Sequence, residues 1–190
     1  MEAQSIILLV INVVGGIAVI GSYIHGFITQ PDKRGALWGG IPQSICTVYG
    51  VSIILAALGY FASIYYILFR IIPGDVHITG GFGYSIFYII FLGMLLPSSL
   101  WMPLTYSVVN KPNISKWIVV RIVLVIVGFL SCALVWALLN IQPNGNGLVY
   151  WFAIAGSAYF AFHTAVLDMI IWSALFKKVT AGYRYYLSVI

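Results

Sequence analysis

The chain has 190 residues, 62% of them hydrophobic and only 7% charged, with a formal net charge of +5. Soluble domains run at about 45–50% apolar and about 25% charged, so a water-soluble fold is excluded. The positive charge is scattered over short segments between apolar runs instead of forming a patch, which speaks against nucleic acid as a partner and for a bilayer.

Crossing about 30 Å of hydrocarbon takes about 20 apolar residues in a helix. Five runs reach that length, at roughly 5–28, 45–70, 84–109, 117–140 and 149–176. They are too long and too uniformly apolar for barrel strands, which alternate over about 10 residues. The predicted fold class is therefore all-α: an integral, multi-pass membrane protein forming one domain over 1–190, a bundle of five transmembrane helices joined by short loops.

The start, MEAQSIILLV, lacks the basic segment and small-residue cleavage site of a signal peptide, so the first span is expected to be retained. Span one carries Gly15, Gly16 and Gly21, with Ala18 and Ser22 four apart. Span two has Ser52 and Ala56, then Gly59 and Ser63, at the same spacing. Small residues at this interval let helices approach closely in lipid, which predicts tight packing inside the bundle, with self-association as the alternative. The first connection, QPDKRGALWGGIPQS, predicts an interfacial loop with Trp38 at headgroup level. In the second, PGDVHITGGFG, Asp75 and His77 without further ligands predict a solvated turn and no metal site.

Span three contains LLPSSLWMPLTY. Pro97 cannot donate to the Gly93 carbonyl, nor Pro103 to that of Ser99. A bend is predicted, with Ser98 or Ser99 capping a freed carbonyl and Trp101 turned to the interior. Gly93, Pro97, Trp101 and Thr105 share one face, which either lines a cavity or packs. The QPNGNG connection reads as a tight turn, and the tail FKKVTAGYRYYLSVI as an interfacial anchor.

Basic residues mark one side of the alternation. Lys33 and Arg34 follow span one. Lys111 and Lys116 separate spans three and four, and Lys177, Lys178 and Arg184 follow span five, while only Arg70 falls on the other side. The positive-inside rule then predicts the N-terminus out and the C-terminus in. The sequon Asn113-Ile114-Ser115 is discounted because it falls on the inner side.

Two opposite charges lie inside the spans, Arg121 about one turn into span four and Asp168 about two turns from the inner end of span five. An unpaired charge at such depth costs about 2.5–3.5 kcal/mol. The pair is expected to meet, as a clamp between helices or in an inner-leaflet cavity, unless Arg121 reaches the interface by itself. With the stripe Ser157, Ala161, Thr164, Asp168 and Trp172, this gives a candidate polar cluster of Trp101, Thr105, Arg121, Thr164 and Asp168. On an α-helix His163 falls on a different face from Asp168 and is a possible second polar site.

Catalytic and cofactor signatures are missing from the sequence. No GxSxG, HExxH, CxxC or paired carboxylates occur, and Cys46 and Cys132 lie too far apart in depth to bridge. His25 and His163 differ by about ten residues in depth, about 15 Å, which rules them out as a haem pair. No catalytic residue, metal or cofactor is therefore expected. In size, five spans and six tryptophans the chain resembles the tryptophan-rich sensory proteins, but Trp101-Met102-Pro103-Leu104-Thr105-Tyr106 is too short a match, in the wrong setting, to assign it to them. Two functions remain: an accessory subunit of a membrane complex, with lipids and other membrane subunits or a second copy as partners, or a lipid or small-molecule carrier using the cavity around Trp101, Arg121 and Asp168.

Overall fold

The computed structural model describes residues 2–143 and 145–176. The basic residues of the tail, Lys177, Lys178 and Arg184, and hence its expected anchoring role, lie outside the described residues.

The five apolar runs form helices: α1 (Ala3–Thr29), α2 (Gln43–Phe69), α3 (Ile86–Asn110), α4 (Ile114–Leu139) and a fifth span (Gly147–Leu175). All five are long and apolar enough to cross a membrane. The fifth is not uniform. It runs as α5 (Gly147–Ala161), a π-helical segment (Phe162–Trp172) and a last turn, α6 (Ser173–Leu175). A 3-10 segment (Pro31–Trp38) follows α1. Two short strands, β1 (His77–Ile78) and β2 (Ile141–Gln142), pair antiparallel, His77 opposite Gln142. They tie the second and fourth connections together, so the fourth is no isolated turn. Asp75 and His77 are exposed, as a solvated connection requires.

Helices adjacent in sequence are not all adjacent in space. α1 packs on α3, α3 on α4, α4 on the fifth span and α5 on α2, whereas α1 and α2 touch sparsely. Residue size explains the tightest contact. Ser52, Ala56, Gly59 and Ser63 of α2 are all buried, and a Cβ on Gly156 would stand 2.7 Å from the Gly59 Cα. The Ser63 hydroxyl donates to the Ala153 carbonyl across this seam at 3.1 Å. Without a hydrophobic force between helices in lipid, such close backbone approach and cross-helix hydrogen bonds hold the pair. The small residues of α1 divide: Gly15 lies against Leu95 and Gly26 against Met102 and Tyr106 of α3, while Gly16 and Gly21 face open space.

The outer surface is apolar. Ile17, Ile20, Leu58, Phe61, Ile89 and Phe129 are all more than half exposed. That inverts the soluble pattern and suits acyl chains, with the spans built as helices. Cys46 and Cys132 are both free. Lys33, Arg34, Lys111 and Lys116 gather at one end of the bundle, its basic end.

α3 continues as a helix across Pro97 and Pro103. Ser99 donates to the Leu96 carbonyl at 2.7 Å, not to the Gly93 acceptor that Pro97 frees. The expected cap is therefore corrected: a hydroxyl on this residue finds the carbonyl three positions back, and the freed one lies six back.

Candidate functional site

Fifteen residues of α5 seat the fifth span against α2, and the π segment then changes its register. Along an α-helix, residues five apart point about 140° from each other. Hydrogen bonding from i to i+5 stacks them instead, and such segments recur at functional sites. His163 and Asp168 are five apart, and here His163 Nε2 stands 3.6 Å from Asp168 Oδ2. The expectation of different faces is corrected for that reason.

His163 is buried and held from α2. Its Nδ1 lies 2.8 Å from Ser52 Oγ, and Ser52 in turn accepts from the Tyr159 hydroxyl at 3.1 Å. The Ser52–His163 bond runs in either direction with the imidazole tautomer, because a hydroxyl that accepts from Tyr159 keeps a second lone pair and its own proton. Tyr49 packs edge-on to the imidazole, centroids 6.3 Å apart, and spends its hydroxyl on the Leu167 carbonyl at 2.7 Å.

Asp168 is the unusual group. At 3.6 Å its contact with His163 is longer than a hydrogen bond. Among the described residues no donor bonds its carboxylate, and 32% of its side-chain surface stays open. Tyr23 of α1 and Tyr49 of α2 both stand near enough to feel its charge. At 1.5 Å per residue, Tyr23, Tyr49 and Asp168 each lie about 9–11 Å from the basic-end terminus of their helices, so their depths agree.

Aromatic rings wall the site. Tyr23 packs on Trp101 (5.8 Å between centroids) and Trp101 on Trp172 (5.5 Å). Trp172 also meets Trp117 at 5.8 Å and Phe176 at 4.5 Å. The Trp172 indole donates to the Leu37 carbonyl at 2.9 Å, which draws the 3-10 segment beneath this cluster. The Trp101 indole nitrogen is buried without an acceptor among the described residues.

The candidate residues of the sequence are only partly brought together. Asp168 meets His163, and Trp101 packs between Tyr23 and Trp172. Thr105 is buried but bonds the Trp101 carbonyl on its own helix, at 2.8 Å. Thr164 turns to α4 and meets Ser131 at 2.6 Å. Arg121 is exposed and has no ion-pair partner among the described residues. The predicted Arg121–Asp168 pair is corrected on geometric grounds. Arg121 follows Val120, a buried position of α4, by about 100° and so turns outward, while the fifth span presents Thr164 to α4 and Asp168 stands beside His163.

Tyr23, Tyr49, Ser52 and Tyr159 were missed. Tyr23 and Tyr49 each lie six residues from their helix terminus at the basic end, a depth match with Asp168 that the sequence holds. Among the described residues no group of three or more His, Cys, Asp or Glu could hold a metal ion. No family model, no curated protein and no solved structure matches the chain.

Proposed function

We propose that the chain is a non-catalytic membrane protein that binds a small amphiphile with a hydrogen-bond-donating head, an amine or a hydroxyl, at Asp168. The observation that carries this is an ionisable side chain at membrane depth, about a third of it accessible, whose carboxylate has no hydrogen bond among the described residues. Ionisable residues in such places are costly and tend to be functional. The aromatic walls from Tyr23, Trp101 and Trp172 suit the apolar body, and a cationic head adds attraction to their ring faces. The orientation is N-out and C-in, which puts the site in the inner leaflet. Lys33, Arg34, Lys111 and Lys116 at one end, against Arg70 at the other, support it.

Purification in mild detergent, with mass analysis of bound small molecules, tests this. The wild type should carry one molecule per chain, and Asp168→Asn should lower occupancy at least about 10-fold, the loss of a hydrogen bond to a charged group. An empty wild-type protein, or equal occupancy in the variant, contradicts it.

A second reading, an accessory subunit of a membrane complex, draws on an apolar groove of about 350 Å³ along α4, lined by Phe129, Cys132, Ala133 and Trp136. The same purification decides, because a subunit of this kind brings partner chains with it.

A further inference from the structure

At the basic end, α1, α3 and α4 leave a crevice of about 370 Å³, whose lining includes none of Tyr23, Trp101, His163 or Asp168. Its walls come from His25, Thr29 and Gln30 of α1 and its end, Tyr106 and Asn110 of α3, and Lys111 and Lys116 either side of the turn into α4. Gly26 sits directly on Met102 and Tyr106, so α1 and α3 are in contact beside the crevice. The lining includes two lysines, a histidine and several hydrogen-bonding side chains, and no carboxylate. Lys33 reaches the rim and bonds the Asn110 side-chain oxygen. Neither Lys111 nor Lys116 has an ion-pair partner among the described residues.

A further feature raises the positive potential. Lys116 stands in the first turn of a 26-residue helix, where the backbone dipole is already positive and an acid would be the stabilising choice. Tyr106 lines the crevice and is buried, with a hydroxyl that has no partner among the described residues. Cationic side chains converging on a polar recess at the level of the headgroups recognise phosphate, as basic pockets between membrane helices do for anionic lipids.

We infer that this crevice is a phosphate-group site, filled by the headgroup phosphate of an anionic phospholipid or by a soluble phosphate. Lys111 and Lys116 supply the charge, and Asn110 and Gln30 the neutral donors. This reading does not depend on the ligand of Asp168.

The test uses the full chain in detergent and native mass spectrometry. Phosphatidylglycerol, phosphatidylcholine and inorganic phosphate are titrated separately. One phosphatidylglycerol per chain should bind in preference to phosphatidylcholine. Lys111→Gln with Lys116→Gln should weaken it by about 30-fold, while Lys111→Arg with Lys116→Arg keeps it. Both lysines flank a turn, so the variants should melt as the wild type does. Asp168→Asn should leave this binding unchanged. Inorganic phosphate that binds and displaces phosphatidylglycerol identifies a soluble source and supports the site; lipid binding that phosphate cannot displace identifies the headgroup. Equal affinity for the two lipids with no phosphate binding, or an unchanged affinity in the Gln variant, overturns the inference.

Discussion

Gly156→Ala probes the contact on which the helix order rests. A Cβ at this position would lie 2.7 Å from the Gly59 Cα and 2.8 Å from the Gly59 carbonyl oxygen. Both neighbours are backbone, so no flexible side chain can yield, and α2 must move away by roughly an ångström. Overpacking costs about 1–3 kcal/mol, and backbone against backbone belongs at the upper end. The movement also weakens the Ser63–Ala153 hydrogen bond, worth about 0.6 kcal/mol in comparable membrane pairs. Alanine returns up to about 1 kcal/mol as the better helix former. The net loss should be about 2–3 kcal/mol. Gly16 is the control, because nothing lies within 4 Å of its added Cβ. Gly16→Ala should leave stability unchanged or raise it slightly. Reversible unfolding in mixed micelles reads both. Equal stability of the two variants would refute the direct packing of α2 on α5.

Trp101→Phe removes a buried N–H that has no acceptor. The melting temperature should hold or rise, since an unsatisfied buried donor costs about 1–3 kcal/mol, while ligand occupancy falls; a sharp loss of stability would show that the indole nitrogen is already partnered. Arg121→Leu should change stability by less than about 0.5 kcal/mol, as for other exposed positions. A loss of about 3–5 kcal/mol in the same unfolding assay would restore the buried ion pair with Asp168. Asp32→Cys and Asp75→Cys, each in a background lacking Cys46 and Cys132, should label from opposite sides with an impermeant maleimide, and labelling of both from one side would contradict five spans.

The spans were legible because hydropathy at this length leaves no other solvent. The predicted ends at 28, 70, 109 and 140 lie within one residue of Thr29, Phe69, Asn110 and Leu139. The small residues of α2 announced a close contact, but not that its partner is Gly156, because small-residue spacing carries no address. The pairing of β1 with β2 joins loops more than 60 residues apart and has no local signal. The site was half legible. Asp168 stood out by its charge and Trp101 by its prolines. The π segment has no compositional mark, so α-helical angles sent His163 away from Asp168 and Thr164 towards it. Arg121 was drawn in by charge complementarity alone, although α4 turns it outward.

The openness of Asp168 to the bilayer can be read by carbodiimide labelling. An apolar carbodiimide partitions into lipid and reacts with carboxyl groups that it can reach there. In protein stripped of bound small molecules and returned to vesicles, peptide mass mapping should find Asp168 modified, and a water-soluble carbodiimide should modify Asp32 and Asp75 instead. An Asp168 left untouched by the apolar reagent, in a folded and ligand-free protein, would mean that the carboxylate is sealed within the bundle and binds nothing from the membrane.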